Sequence, residues 1–182
     1  MDINDIILKE AFKDEGMKEL KGNTGWEDPE FQQQMEMTGW ELGQSWCAYW
    51  AEKVWTNAYA EYNSLMVNVL RRLFSANAVE TFENFKDSPA FVASGDPVLG
   101  AVVIWMKKHE GRPSYIGESK KWIRGHAGLV IGMNEGGSFN TLEGNSNSEG
   151  GRQGIEVARL ERRLNFNTAD GLQLLGFIHP NA

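Results

Sequence analysis

Near Pro97 the apolar residues of this 182-residue chain change period, and that change constrains the fold more than any single motif. Before Pro97 they recur at helical spacing. Residues 3–21 read as a helix through Ile6, Ile7, Ala11, Phe12 and Met17, with Gly22–Asn23 as its C-cap signal. Residues 46–62 carry apolar side chains at 46, 47, 50, 51, 54, 55 and 58, the stripe of a buried helix, with Ser45 in the N-cap position. Leu65, Val69, Leu70 and Leu73 mark another helix over 65–74. Between these, residues 23–45 are polar and broken by Gly25, Pro29, Gly39 and Gly43, and residues 75–95 are mixed with a break at Ser88–Pro89. After Pro97 the runs are short and β-branched, predicting strands over 98–106, 125–133, 139–143, 155–160 and 174–179. Residues 107–124 and 145–154 read as loops. Helices first and strands last, with hairpin-like connections, indicate an α+β fold: N-terminal helices packed on a C-terminal antiparallel sheet. No linker divides the chain, so residues 1–182 are expected to form a single domain.

Composition removes several function classes. Lys and Arg number 18 against 25 Asp and Glu, giving a net charge of −7. A chain this acidic is poorly suited to a nucleic-acid backbone, and no nucleic-acid partner is expected. No run approaches 18 apolar residues, so no membrane anchor is expected. The start, Met1 to Asp5, has neither a basic nor an apolar leader region; the chain is expected to be made in the cytoplasm without a signal peptide. One cysteine excludes an intramolecular disulfide and a multi-thiolate metal site; no metal or cofactor is expected. Seven tryptophans are many for one domain, and several flank that cysteine.

Cys47 has two readings. A lone cysteine is commonly a small buried hydrophobe. Its position just inside a helix start is also where unpaired N–H groups and the helix dipole favour a thiolate. A base must come from three histidines. His109 lies in a charged segment and His179 near the C-terminus, both expected as solvated surface groups. His126 opens an apolar strand between Gly125 and Ala127. A hairpin with a two-residue loop at Glu135–Gly136 makes opposed residues sum to 271. His126 then faces Asn145, and Gly128 faces Glu143. His126, Glu143 and Asn145 share one sheet face; Ala127, Leu129, Ile131 and Leu142 share the other, the core side. A loop of odd length would break this parity. The result is a nucleophile, an imidazole and a carboxylate or amide to orient it, the logic of a nucleophilic triad. Gly128, lacking a side chain, leaves room for substrate or for a neighbouring group.

These residues resemble the CHAP family, cysteine- and histidine-dependent amidohydrolases/peptidases related to NlpC-type cell-wall hydrolases and, more distantly, to papain. Gly16–Glu19 with Gly22–Asn23 is similar to the family's G-x-x-E-x-x-G-N opening. Trp46-Cys47-Ala48-Tyr49-Trp50 resembles its W-C-A-aromatic box. Gly100–Trp105 resembles the strand after its P-G-D turn, here blurred to Gly95-Asp96-Pro97. Gly125–Val130 resembles G-H-V-G-hydrophobic, and Glu143-Gly144-Asn145 its E-G-N. The likeness spans about residues 10 to 178. Many members place Gln directly before the cysteine; here Trp46 stands there and the nearest glutamine is Gln44.

The resemblance implies a papain-like fold, with Cys47 as nucleophile and His126 as general base. Glu143 orients His126 and Asn145 assists; Glu135 and Glu149 compete as carboxylates but read as solvated. Trp40, Trp46 and Trp122, with Gln44, are expected to line a substrate groove, whereas Trp50 and Trp105 fall on apolar stripes and are expected in the core. The implied substrate is peptidoglycan, cut at the N-acetylmuramoyl–L-alanine amide or within its peptides. A phage-type endolysin or an interbacterial effector fits. An inhibitor or immunity protein is an expected partner, and the enzyme is expected to be a monomer. The alternatives are a thiol hydrolase of the same fold acting on a non-wall amide, or an inactive binding module with a packed cysteine.

Overall fold

A cysteine-headed helix runs through the centre of the structure, a computed structural model that describes residues 1–21, 24–147 and 154–181. Gly22–Asn23 and Glu149 lie outside the described residues. The helical layer comprises α1 (Ile3–Lys13), α2 (Pro29–Met37), α3 (Cys47–Tyr62), α4 (Val67–Leu73) and α5 (Ala78–Lys86). α3 is buried on almost every side, including Glu52, Lys53 and Thr56. Such burial requires partners for its polar groups. Lys53 Nζ pairs with Asp14 Oδ2 at 2.7 Å, and the indole N–H of Trp50 donates to the same oxygen at 2.8 Å. Trp55 Nε1 donates to the Gly100 carbonyl at 3.0 Å.

The strands are β1 (Val92–Ser94), β2 (Val102–His109), β3 (Arg112–Pro113), β4 (Tyr115–Ile116), β5 (Trp122–Ile123), β6 (Gly125–Met133), β7 (Ser138–Ser146), β8 (Glu156–Arg163) and β9 (Gly171–His179). Among the described residues they form an antiparallel sheet in the order β1-β9-β2-β6-β7-β8, with β3 paired to β2 and a separate β4–β5 arm. The fold is α+β, with helices ahead of the sheet. Val102, Ile104, Ala127, Leu129, Leu142 and Ile178 face the helices. Val103, Trp105, Val130, Phe139, Leu174 and Phe177 form a second, smaller core on the opposite face. Burial on both faces explains why β2 and β6 read as continuous apolar runs instead of alternating ones.

Several boundaries differ from the sequence reading, each for a local reason. α1 stops at Lys13 because Asp14 turns its side chain to Lys53 and Gly16 adopts φ +83°. Residues 17–19 then run extended beside β8, with Gly16 N–H donating to Val157 O and Val157 N–H to Met17 O. The turn-rich segment 23–45 contains α2, started by Asp28 accepting from the N–H groups of Glu30 and Phe31 and by Pro29 at its first position. Ser45 is not the N-cap of α3; Trp46 is, without a side-chain cap bond. Asn77 caps α5, and β1 follows within the mixed region. The 107–124 segment is not a plain loop: β2 continues to His109, and β3, β4 and β5 fall within it.

The β6–β7 hairpin decides the site. Met133 pairs with Phe139, so the connection has five residues, 134–138, rather than two. Its odd length alone would rotate the catalytic candidates onto opposite faces. A bulge between Val130 and Gly132 absorbs one residue, and beyond it Val130 pairs with Thr141 and Leu129 with Leu142, both summing to 271. The expected register holds at the site through two compensating departures.

Candidate active site

Cys47 stands first in α3, where the opening N–H groups have no intrahelical acceptor. Its side chain is largely buried, yet it reaches an open cleft of about 1030 Å³ shared with His126, Asn145 and Ser45. The His126 imidazole and the backbone N–H groups of Ala127 and Ala48 are close enough to the sulfur to favour its charged form. Burial alone would push this thiol up; the charge of the His126 imidazolium and the N–H groups facing the sulfur outweigh it and hold the thiol below its usual value. His126 responds in the opposite direction. Burial would lower it, but the facing sulfur and Glu143 together raise it to about 10. The favoured state of the pair is thiolate and imidazolium.

His126 reaches the cysteine from β6. Its Nε2 lies 2.8 Å from Glu143 Oε2, which leaves Nδ1 for the sulfur. Glu143 is fully buried in β7. Its Oε1 accepts from Thr141 Oγ1 at 2.6 Å and Arg162 Nε at 2.7 Å, and its Oε2 also accepts from Arg162 Nη2 at 2.5 Å. Burial opposes its ionisation, but the bidentate Arg162 and the His126 contact hold it down to about 2. Trp105, the cross-strand partner of His126, stacks on the imidazole with centroids 5.8 Å apart and planes 27° apart. The Arg162 guanidinium sits 5.2 Å from the same indole. The indole thus contacts both the base and the cation that anchors its carboxylate.

Gly128 makes this possible. A Cβ there would lie 2.6 Å from Glu143 Cγ and 3.1 Å from Leu142 O. The space left by the missing side chain is filled by the glutamate, not by an open substrate path.

Cys47, His126, Glu143 and Asn145 are therefore brought together, with Asn145 on the cleft wall in a left-handed conformation, φ +53°. Among the described residues no hydrogen bond joins Asn145 to the imidazole, whose Nε2 belongs to Glu143. The groove residues expected from sequence fare differently. Trp40 is buried in an aromatic cluster with Trp26, and its indole N–H donates to Gln44 O. Trp46 is fully buried, packed edge-on to Trp26, with its N–H bonded to Glu19 Oε2 at 2.7 Å. Neither can touch a substrate; large rings beside a helix start found more area to bury beneath the cleft than on its wall. Gln44 folds back on its own turn, accepting from Tyr49 OH at 2.9 Å and from the Glu41 N–H, and Ser45 is the cleft residue there. Trp122 is half-buried in the β4–β5 arm beneath Lys121; Tyr115 and Ile116 of that arm face the cleft instead. Trp50 and Trp105 are buried as expected, Trp105 with the added contact to His126. Glu135 is exposed in the hairpin connection. His109 is mostly exposed, and His179 bonds Ser94 Oγ at 3.0 Å.

Sequence reasoning missed Arg162 and Thr141. A strand ending at Leu160 leaves Arg162 outside the sheet, whereas β8 runs to Arg163 and pairs Ala158 with Glu143 and Arg162 with Phe139. Residues 158, 160 and 162 share the face of Glu143, so an arginine four residues beyond its partner was the available signal. Among the described residues no cluster of His, Cys, Asp and Glu has metal-ligand geometry.

Comparisons with protein-family models, with curated proteins and with solved structures return no match for this chain.

Proposed function

We propose that this protein is a cysteine amidohydrolase of papain-like, CHAP-type architecture that cleaves an amide bond of peptidoglycan. The observation that carries the reading is the continuous chain from the Cys47 sulfur through His126 to Glu143 and Arg162, opening on a cleft. The Cys47 thiolate attacks the amide carbonyl carbon. The N–H of Cys47, at the head of α3, is placed to donate to the developing oxyanion, a contribution of about 2.7–4 kcal/mol for one such donor. The imidazolium gives its proton to the departing amine as the C–N bond breaks. The neutral imidazole then takes a proton from water, which attacks the thioester and releases a carboxylic acid and the free thiol group. Glu143 keeps the imidazole in one orientation and stabilises its charge throughout.

The wall substrate rests on the resemblance of the three boxes around Cys47, His126 and Glu143. An endolysin or an injected effector, held in check by an immunity protein in the latter case, are the roles consistent with such a substrate. The test is digestion of purified sacculi by the native protein and by Cys47→Ala, with mass spectrometry of the released fragments. The proposal expects muropeptides with a new amine end from the native protein only, the alanine variant falling by on the order of 10⁴-fold or more. Sacculi left intact by a protein whose thiol is reactive would transfer the chemistry to a non-wall amide. A thiol inert until unfolding would leave a binding module with a packed cysteine.

A further inference from the structure

The protein carries seven more acidic than basic charges, yet the wall of its cleft is cationic. Lys107, Lys108, His109, Arg124 and Arg162 line it against one lining carboxylate, Asp170. Asp170 is already taken, by His109 Nδ1 at 3.2 Å and the Glu110 N–H at 2.8 Å. Arg162 is spent on Glu143. Among the described residues Lys107, Lys108 and Arg124 form no ion pair, in a chain with a surplus of carboxylates to offer.

Their placement follows from the register. Trp105 pairs with His126 and Met106 with Gly125. One step further the Lys107 N–H donates to Arg124 O at 2.7 Å. Side chains two apart on a strand share a face, so Lys107 and Arg124 follow Trp105 and His126 by one pleat repeat, about 7 Å. The β4–β5 arm fixes them there. Ser114 N–H donates to Lys107 O, Arg124 N–H donates to Ser114 O, and Arg124 Nε donates to Tyr115 O at 3.1 Å. An arm of this kind costs backbone ordering and buries little; what it holds over the cleft floor is a pair of cations without counter-ions.

We propose that Lys107 and Arg124 form an anion subsite that selects amide substrates bearing a carboxylate next to the scissile bond. This inference rests on Cys47 being the nucleophile and names the substrate class of that same cleft: acidic peptides or acidic muropeptides, in preference to neutral or basic ones.

Cys47 itself supplies the probe. Iodoacetate is an anion and iodoacetamide its neutral counterpart, and both alkylate the same sulfur. The ratio of their second-order rates, measured on the pH plateau of the iodoacetamide reaction, reads the field in the cleft independently of any substrate. The native protein should favour iodoacetate at low salt, the preference fading as ionic strength passes 0.1 M, where screening reaches about 10 Å. Lys107→Gln with Arg124→Gln should lower the ratio by on the order of threefold to tenfold, the loss of two cations from a partly screened cleft shared with the sulfur. Arg124→Lys keeps the charge and should keep the ratio. Lys9→Gln, which removes a cation paired with Glu61 away from the cleft, should leave it unchanged. A reactive thiol whose ratio ignores Lys107 and Arg124, or responds equally to Lys9, overturns the anion subsite alone. A native thiol inert to both reagents overturns the nucleophile and this inference with it.

Discussion

His126 Nε2 and Glu143 Oε2 stand 2.8 Å apart across neighbouring strands, and that contact decides which ring nitrogen is left for Cys47. A carboxylate held at Nε2 fixes the ring flip and stabilises the proton at Nδ1, where the sulfur needs it. Because Glu143 is itself clamped by Arg162 and Thr141, it can lean toward His126 without being free to rotate away.

The pH dependence follows from the two opposed shifts. The thiol lies below its usual value and the imidazolium is raised to about 10. Hydrolysis needs both charges, so its rate should rise as the thiolate forms and fall as pH passes about 10, giving a bell. Alkylation needs the thiolate alone. Iodoacetamide should therefore continue to react above pH 10 where hydrolysis has stopped, and a common alkaline limb for both reactions would contradict the ion pair.

Arg162→Met should leave the Glu143 carboxylate buried and without its bidentate partner. Removing one member of a buried pair costs roughly 3–5 kcal/mol at the high end, reduced here because Arg162 is partly exposed. Glu143 would then rise from its value of about 2 yet stay ionised where His126 titrates, and His126 would lose a neighbouring cation that opposes its charge. The alkaline limb of hydrolysis should therefore hold its position or move to higher pH, while the folded state loses stability. Denaturant melts together with the pH profile separate this from simple unfolding.

Gly128→Ala places a methyl 2.6 Å from Glu143 Cγ. Overpacking of this type costs about 1–3 kcal/mol. The stronger effect should be on kcat, since the side chain displaced is the one that orients the base. A variant as active as the parent would mean that Glu143 is not needed where it stands.

Glu52 offers a test away from the cleft. Desolvation raises its carboxyl to about 7, with Arg71 opposing only in part. A carboxyl whose folded value exceeds its unfolded one leaves stability intact at low pH and withdraws it as pH rises through the folded value. Glu52→Gln should thus raise stability at pH 8 by on the order of 1–3 kcal/mol, read as a higher Tm, and change it little at pH 4. Equal gains at both pH values would assign the effect to something other than ionisation.

How far the sequence could be read varied with the kind of signal. The β6 strand was legible to its ends, Gly125 to Met133, because a short β-branched run whose centre, Ala127–Val130, is buried on both faces has no competing helical period. α2 and α5 were not, because each is nine residues long with a polar face. Their evidence lay in single caps, Asp28 and Asn77, inside segments dominated by turn residues. The tryptophans misled for a related reason. Trp40 sits in a polar segment and Trp46 at the head of an apolar stripe, but both pack on Trp26, and Trp46 also on Phe31, contacts that sequence distance conceals.

The amino-acid order alone determined that helices precede strands and that one cysteine heads the most buried helix. It also determined that His126 and Glu143 can share a sheet face, since side-chain direction along a strand is set by parity. Tertiary structure decided the rest. It decided that a five-residue connection and a bulge would cancel, preserving that parity, and that Arg162 would arrive from a third strand to hold Glu143 charged. Those outcomes depend on pairing between strands, an energy shared by residues far apart in the chain, and no local pattern encodes it.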